Sequence, residues 1–282
     1  MSPLYSHSRL SSFENCPKQF HFRYVLKIPS ESEGVEAFVG KRVHEVLERL
    51  YVFVGKDMVP GIEKVVARYH TLWDEHFDAE RLRIVREGMT FDHYRQLGER
   101  CLRNFYRRHY PFDHDETLGL EERVVFSLDE DGRYKMQGII DRIVRAGDGA
   151  IEIHDYKTGQ RVPSQRNLDR DRQLALYQIG LQDRYGADQP FRLVWHYVAS
   201  GQIRSSARTP EELRALREET IGLIDRIEGE QQFAPNRIPL CSWCEYQPIC
   251  PEWGGDETAA NDAAATPESS PTDRARPQLD LL

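Results

Sequence analysis

The sequence predicts an α/β fold in which a mixed central sheet is flanked by helices. Three strand signals follow one another at Leu120–Leu128, Arg133–Val144 and Ala150–Tyr156. The dipeptide Asp131-Gly132 marks a turn between the first two strands. A helical segment from about Leu168 to Arg184 follows the third strand.

Two more strands and a helix complete the predicted core. Phe191–Ala199 alternates large apolar side chains, and Ser200-Gly201 turns the chain into Ile203–Ala207. Thr209-Pro210-Glu211-Glu212 has the residues of a helix start, with an N-cap threonine and a proline in the first turn. This helix is expected to end near Glu228. The order of helices, three strands, helix, two strands and helix is that of a mixed sheet with helices on its flanks.

Helices are predicted for most of the preceding chain. Apolar residues recur at helical spacing over about five turns, at Val35, Val39, Val43, Val46, Leu47, Leu50 and Val54. A second helical region, at about 57–110, contains the core candidates Trp73 and Phe105. We interpret this region as a helical insertion or subdomain.

Asp155-Tyr156-Lys157 closes the third strand and is followed by Thr158-Gly159. Side chains alternate along a strand, so Asp155 and Lys157 project from one face where the strand opens toward solvent. A carboxylate that holds a divalent metal, beside a lysine that orients water, suits phosphodiester hydrolysis. The two residues alone leave a surface ion pair as the alternative.

A second candidate carboxylate is Asp141 in the preceding strand. It alternates with Ile139 and Ile143, so it is expected to start from a core-facing side. A carboxylate in that position is costly unless it is paired or bound to a metal. Pairing with Arg142 or Lys135 is the alternative.

Helical spacing adds polar candidates. Gly40, His44 and Glu48 are spaced by four, so they line one strip of the first long helix, where a neutral imidazole could bind a metal. Gln173 and Tyr177 have the same spacing and could hydrogen-bond a phosphate or the lysine. A core histidine and an ordinary polar helix edge are the alternatives.

Four motifs follow one another in the chain: Gly40-x3-His44-x3-Glu48, Gly138-x2-Asp141, Asp155-Tyr156-Lys157-Thr158-Gly159 and Gln173-x3-Tyr177. In this order they resemble the RecB-family nucleases of the PD-(D/E)XK superfamily. The chain is most similar to the four-cysteine exonucleases related to AddB and to the CRISPR spacer-adaptation nuclease. The resemblance spans about Tyr5 to Trp253. It implies a restriction-endonuclease-like core over residues 1–253, with the helical insertion and a C-terminal cysteine cap.

The resemblance implies a role for each matching residue. His44, Asp141, Asp155 and the backbone carbonyl of Tyr156 would bind Mg²⁺ or Mn²⁺, and Lys157 would position the attacking water. The remaining motif residues, Gln173 and Tyr177, would shape the site and contact the nucleic-acid backbone. The implied activity is that of a DNA nuclease, an exonuclease on single-stranded DNA or DNA ends in repair or recombination.

The cysteines form a second pattern. Cys241, Cys244 and Cys250 are closely spaced, and Cys16 lies near the N-terminus. Four thiolates could bind zinc or an iron–sulfur cluster. One distant cysteine with a compact triplet resembles the [4Fe–4S] site of the related nucleases, so the cap is expected to comprise Cys16 and residues 241–250. Zinc remains the alternative, and Cys101 is expected to be a buried free thiol.

Bulk properties exclude few classes of protein. The 282 residues are 39% hydrophobic and 30% charged, and no stretch is apolar enough to cross a bilayer. The N-terminus has no secretory pattern, so a cytoplasmic location is expected. The net charge of −8 is unusual for a protein that binds DNA. Basic residues nevertheless cluster after Lys157 and are candidates for phosphate contacts, namely Arg161, Arg166, Arg170 and Arg172.

The C-terminal segment 254–282 is rich in Ala, Pro, Ser, Thr and acidic residues and is expected to be a disordered acidic tail. It ends in a short peptide, Gln278, Leu279, Asp280, Leu281 and Leu282. This peptide resembles those that dock on the DNA polymerase sliding clamp. A chance match at a chain end is the alternative.

Two functions are compatible with these patterns. The first is a Mg²⁺- or Mn²⁺-dependent DNA nuclease. The second is a non-catalytic DNA-binding or scaffold module of a repair complex, which would have little need for a buried carboxylate pair. The chain has no G-x4-G-K-S/T motif, so any helicase motor is expected to be a separate partner.

Overall fold

The computed structural model of the chain describes residues 3–255. Its strands are β1 (Leu4–Ser6), β2 (Glu33–Gly34), β3 (Leu82–Arg83), β4 (Glu116–Ser127), β5 (Lys135–Arg145), β6 (Ile151–Lys157), β7 (Phe191–Tyr197) and β8 (Gln202–Ser206). Its α-helices are α1 (His7–Asn15), α2 (Pro17–Phe20), α3 (Val35–Val54), α4 (Ile62–His76), α5 (Phe91–His109), α6 (Gln165–Leu168), α7 (Gln173–Tyr185) and α8 (Pro210–Gly229). No helix among residues 3–255 has the length and apolar character needed to span a bilayer.

The chain divides into two compact units. The first, which we call the sheet unit, comprises Met1–Leu10 and Ser32–Glu230. The second, the cysteine unit, comprises Ser11–Glu31 and the chain from Gln231 onward. The predicted clamp-binding peptide and nearly all of the predicted tail lie outside the described residues.

The sheet unit is built on a mixed sheet, as predicted, and this sheet has six strands because β1 joins the five expected ones. The strand order is β1-β5-β6-β7-β8, and β4 also pairs with β5. β4, β5 and β6 pair antiparallel in succession, β6 and β7 are parallel, and β7 and β8 are antiparallel. The connection from β6 to β7 contains α7, since a parallel pair needs a long crossover.

A layer formed by α3, α4 and α5 packs around a common apolar core that includes Tyr156 of β6. Cys101 is buried in this core and free of disulfides, as predicted. The predicted helical region contains two helices with the short strand β3 between them. β3 pairs with β2, and neither these strands nor β1 has the length or alternation that predicts a strand from sequence.

Two predictions about local structure were wrong. The helix expected from about Leu168 begins instead at Gln173, and a separate one-turn helix, α6, precedes it. The side chain of Asp171 accepts a hydrogen bond from the backbone amide of Gln173 at 2.9 Å. This bond satisfies one of the amides in the first turn of α7 that have no partner within the helix. Ile139, expected to face the core, is 55% exposed, whereas Ile143 is buried.

Aromatic residues hold the cysteine unit together. Phe13, Phe20 and Phe22 are buried, and the ring of Phe233 stacks on that of Phe20 at 6.1 Å between centroids. Tyr246 donates a hydrogen bond to the Ile28 carbonyl at 2.9 Å. Segments from the two ends of the described chain therefore form one local core.

Candidate active site

The end of β6 presents an ion pair that is held by α7. The Lys157 ammonium donates a hydrogen bond to Asp155 Oδ1 at 3.0 Å and another to Gln173 Oε1 at 2.9 Å. The side-chain amide of Gln173 donates a hydrogen bond to the same Asp155 oxygen at 3.2 Å. Gln173 can reach both groups because it is the first residue of α7. The three side chains therefore fix one another.

Asp155 has one oxygen without a hydrogen bond. Its Oδ2 atom lies 2.8 Å from the Lys157 nitrogen, but this contact lacks hydrogen-bond geometry and the atom is buried. A buried carboxylate oxygen is costly to leave unsatisfied. The Lys157 ammonium balances its charge, but the oxygen accepts no hydrogen bond and keeps its lone pairs for a further ligand.

A second group of ligand atoms comes from three elements of the sheet unit. His44 of α3, Glu121 of β4 and Asp141 of β5 bring one ligand atom each within 4.8 Å of one another. His44 Nδ1 lies 3.5 Å from Asp141 Oδ1 and 3.9 Å from Glu121 Oε1. Among the described residues, this is the one such group of histidine, cysteine or acidic residues that could hold an ion.

The backbone of Tyr156 joins the two groups. Its amide donates a hydrogen bond to Asp141 Oδ2 at 2.7 Å, and its carbonyl oxygen lies 2.7 Å from His44 Nε2. The tyrosine ring is buried in the helical core, where it contacts Phe105. β6 thus directs Tyr156 into the core while Asp155 and Lys157 extend from its other face.

Sequence reasoning missed Glu121. In the β4–β5 register, Leu120 is opposite Arg142 and Glu122 is opposite Ile140, so Glu121 comes opposite Asp141. Its backbone has a φ of 44°, an unusual value for a residue other than glycine or asparagine. The available signal was an acidic residue within a predicted strand next to the strand of Asp141.

The two groups concentrate negative charge in a poorly solvated place. Burial and the neighbouring charge of Asp141 raise the pKa of Glu121 to about 7. Burial also raises the pKa of Asp155, although the charge of Lys157 opposes this shift. Burial lowers the pKa of His44, but its hydrogen bond and charge interaction with Asp141 outweigh this effect and raise it to about 9. A site that favours bound protons at His44 and Glu121 is short of positive charge.

The donor set fits a divalent metal. Carboxylate and carbonyl oxygens are preferred by Mg²⁺ and Mn²⁺, and imidazole is tolerated by the softer of the two. His44, Asp141, Asp155 and the Tyr156 carbonyl were predicted as ligands. The structure groups His44 and Asp141 with Glu121 and sets the Tyr156 carbonyl against His44, whereas Asp155 is not part of this group of ligand atoms. The alternative pairing of Asp141 with Arg142 does not occur, because Arg142 is buried beneath Tyr51 and pairs with Asp115.

Tyr177 sets the position of α7 on the sheet. A Cβ atom placed on Gly138 of β5 would lie 2.0 Å from the Tyr177 ring. The space that this glycine leaves open is therefore filled by Tyr177, one helical turn after Gln173.

Comparison with known proteins assigns the chain to a family. The profile of the PD-(D/E)XK nuclease superfamily matches residues 5–251. The chain belongs to the PD-(D/E)XK nuclease superfamily. Its mixed sheet with flanking helices is the restriction-endonuclease-like fold expected from the sequence.

Two solved structures are similar to this superfamily member. The first is a protein from Eubacterium rectale that carries the name of an exonuclease. It has 14% sequence identity and a TM-score of 0.51, and the match covers 86% of this chain and 87% of that chain. The second, the protein SSO0001, has 15% identity and a TM-score of 0.37 over 86% of this chain and 84% of that chain. At 14% identity, the likeness to the first structure concerns the fold alone. The comparison with curated proteins gave no match.

The predicted phosphate-binding arginines lie between the catalytic lysine candidate and α7. Arg161, Arg166 and Arg170 are exposed, and Arg172 is half-buried. This basic segment follows Lys157 and precedes Gln173 in the chain.

The four predicted cluster ligands line one cavity of the cysteine unit. The cavity has a volume of about 270 Å³, and its lining includes Cys16, Cys241, Cys244 and Cys250. All four are free cysteines. Their sulfur atoms do not form a group of three or more within 4.8 Å, so they are not clustered as ligands of a single ion.

Hydrogen-bond donors point at these sulfur atoms. The backbone amide of Asn236 lies 3.4 Å from Cys16 Sγ, and that of Ile238 lies 3.4 Å from Cys241 Sγ. The Gln19 amide lies 3.7 Å from Cys244 Sγ. Amide donors of this kind stabilise thiolates and tune clusters bound by them.

Proposed function

We propose that this protein is a metal-dependent DNA nuclease, an exonuclease that hydrolyses phosphodiester bonds in single-stranded DNA or at DNA ends during repair or recombination. The observation that carries the proposal is the group formed by His44, Glu121 and Asp141 beside the Tyr156 backbone, with the Asp155–Lys157 ion pair at the end of the same strand. The buried oxygen of Asp155 that accepts no hydrogen bond and the raised pKa of Glu121 support a cation at this place. Membership of a nuclease superfamily supports the reaction type.

His44, Glu121, Asp141, Asp155 and the Tyr156 carbonyl would hold Mg²⁺ or Mn²⁺. A bound ion of this kind polarises a phosphoryl oxygen and lowers the pKa of bound water. His44 Nε2 contacts the Tyr156 carbonyl in the present arrangement. The imidazole must therefore release its proton before it can serve as a ligand.

Lys157 acts as a hydrogen-bond donor in this proposal. Burial lowers its pKa, but the charge of Asp155 and the hydrogen bond to it raise the pKa above its ordinary value. The ammonium is consequently charged near neutral pH and cannot act as a general base. It can instead orient water with one hydrogen atom and stabilise negative charge on the phosphate. Gln173 keeps the ammonium at this position.

We also propose that Cys16, Cys241, Cys244 and Cys250 bind a [4Fe–4S] cluster. A cluster several atoms across needs thiolates that surround a cavity, whereas a single zinc ion needs them in tetrahedral contact at about 2.3 Å from the metal. The shared cavity and the separation of the sulfur atoms favour the cluster. Anaerobically purified protein should be brown and contain iron. A colourless preparation with stoichiometric zinc contradicts this assignment.

Four further proposals concern the partners and the location of the nuclease. We propose that the exposed arginines of the 161–172 segment contact phosphates. The peptide 278–282 would bind the polymerase sliding clamp, and a separate helicase would supply unwound DNA. The place of action would be the cytoplasm. Removal of the last five residues should abolish clamp binding and leave cleavage unchanged.

The test follows the degradation of DNA labelled at its 5′ or 3′ end, single- or double-stranded, with Mg²⁺ or Mn²⁺. The wild type is compared with Lys157→Ala and with the exposed control Lys64→Ala on α4. We expect metal-dependent cleavage that falls by at least about 10²-fold in Lys157→Ala and is unchanged in the control. The position of the label gives the polarity. Full binding of DNA without cleavage by folded wild type would identify a non-catalytic binding module instead.

A further inference from the structure

The two strands that carry Glu121 and Asp141 continue beyond the metal ligands as an exposed ribbon. Their cross-strand pairs are Arg123 with Ile139, Val125 with Gln137, and Ser127 with Lys135. The residues between these pairs face α7, so the pairs lie on the other face, from which His44 of α3 reaches Glu121 and Asp141. We call this surface, from Arg123 and Ile139 to Lys135, the β4–β5 ledge.

Burial alternates along both strands and identifies the ledge as the uncovered face. Ile139 is 55% exposed and Val125 is 56% exposed. The intervening residues Val124, Phe126, Met136 and Ile140 are buried. The opposite face is covered by α7, because Gly180 faces Phe126 and the Tyr177 ring faces Gly138. The exposure is therefore a property of one face and not of a frayed strand end.

Val125 and Ile139 are neighbours on this face and leave apolar surface available to a ligand. The ledge combines these two residues with two cations. The Arg123 guanidinium donates two hydrogen bonds to Gln137 Oε1, at 3.2 and 2.7 Å, and keeps its charge unpaired. Neither Arg123 nor Lys135 forms an ion pair with an acid in residues 3–255.

We propose that the β4–β5 ledge binds a single strand of nucleic acid and leads it to the metal site. This inference rests on the proposed nuclease function and assigns the path of its substrate. Arg123 and Lys135 would contact phosphates, and Ile139 and Val125 would contact the faces of sugars and unpaired bases. Along β5, the end of the ledge at Lys135 lies about 20 Å from Asp141, at about 3.3 Å per residue.

Two observations favour a nucleic acid strand as the occupant. The ledge is continuous with the ligands that would hold the scissile phosphate, because it lies on the same two strands and the same face. It also supplies positive charge beside a site whose other groups are acidic, and phosphate binding needs such charge. A single strand is favoured over a duplex because apolar side chains reach base faces when the bases are unpaired.

The first measurement tests binding at the ledge. The affinity of a labelled 12-nucleotide oligothymidylate is measured by fluorescence anisotropy over a range of salt concentrations, in a Lys157→Ala background with Mg²⁺ to prevent cleavage. Each lost phosphate contact reduces the slope of log affinity against log salt by about 0.7 for a single strand. The double substitution Arg123→Gln with Lys135→Gln should therefore reduce the slope by about 1.4.

The apolar pair gives a different signature. Val125→Ser with Ile139→Ser should lower the affinity by about threefold to tenfold without changing the salt slope, because no charge is removed. The matched controls are Lys64→Gln on α4 and the exposed Val59→Ser after α3. Neither control should change affinity or slope. A duplex of the same length should be insensitive to the apolar substitutions.

A second measurement separates the ledge from the chemistry. With Lys157 intact, ledge variants should hydrolyse bis(p-nitrophenyl) phosphate at the wild-type rate, because this small diester cannot reach the ledge, and should lose kcat/KM on the oligonucleotide. If the ledge variants cleave and bind the oligonucleotide as well as wild type does, the ledge proposal is wrong and the nuclease proposal is unaffected. If wild type hydrolyses neither substrate but the salt slope still falls by about 1.4, the nuclease proposal fails and the ledge stands. If Val125→Ser with Ile139→Ser lowers the affinity for the duplex as much as the affinity for the single strand, the single-strand assignment is wrong.

Discussion

The closest contact beneath the site gives the sharpest prediction, the effect of Gly138→Ala. The added Cβ atom would lie 2.0 Å from Cε1 of Tyr177 and 2.8 Å from two further atoms of its ring. Carbon atoms in contact prefer about 3.5–4.0 Å. The Tyr177 ring is 8% exposed and has little room to turn aside. Either α7 or β5 must therefore shift by more than about 1 Å.

Overpacking of this kind costs about 1–3 kcal/mol. For a chain of this size, each kcal/mol lowers Tm by about 2–4 °C, so Tm should fall by about 2–12 °C. The shift also reaches the site, because Gln173 lies one turn before Tyr177 and accepts a hydrogen bond from Lys157. A misplacement of about 1 Å can cost about 10²-fold in rate, and we expect a loss of that order in kcat.

The assay combines urea denaturation with the rate of DNA cleavage. The control is Gly147→Ala, since no atom lies within 4 Å of a Cβ at that position. Adding Gly138→Ala to a Tyr177→Ala background should cost almost nothing, because the ring that causes the overlap is gone. If Gly138→Ala is as stable and active as Gly147→Ala, the argument that Tyr177 positions α7 is wrong.

Three further predictions concern charge and helix capping. Raising the pH from 6 to 8 should strengthen metal binding by about 10³-fold, because the metal displaces protons from His44 and Glu121, whose pKa values are raised to about 9 and about 7. In the metal-free protein these two raised pKa values stabilise the fold at low pH, and this stabilisation is lost as the pH rises through them. Metal affinity is measured by calorimetric titration, and an affinity independent of pH would contradict the displacement of protons from His44 and Glu121. Arg142→Ala should lower the free energy of unfolding by about 3–5 kcal/mol, since it removes a 1% exposed cation and leaves its acidic partner unpaired, whereas the exposed Arg145→Ala should have little effect in urea denaturation. Thr209→Ala should cost about 1 kcal/mol by removing the capping box of α8, and an unchanged Tm would refute this.

Local signals in the sequence predicted most of the sheet and α8. Long alternating strands and the Thr209 capping box are encoded within a few residues, and the structure has them with shifts of a few residues at their ends. α7 was placed too early because periodicity alone does not show where a turn interrupts it. The Asp171 side chain ends that turn by bonding the Gln173 amide.

Glu121 could not be identified from its own surroundings in the sequence. It becomes a ligand candidate through its register opposite Asp141, which depends on pairing between strands and on a backbone distortion at the residue itself. The burial of Arg142 is a similar case. Its charge is acceptable only because Tyr51 and Asp115, distant in sequence, surround it.

The cysteine unit has a consequence for the order of events during synthesis. Gln19 contacts Cys244 across 225 positions of the chain, so the segment around Cys16 cannot form this contact until synthesis has passed Cys244. At about 5–20 residues per second, the N-terminal segment waits about 10–45 s for its partners. During that interval Cys16 and the aromatic residues beside it are exposed to oxidants and chaperones, whereas most of the sheet unit can already begin to fold.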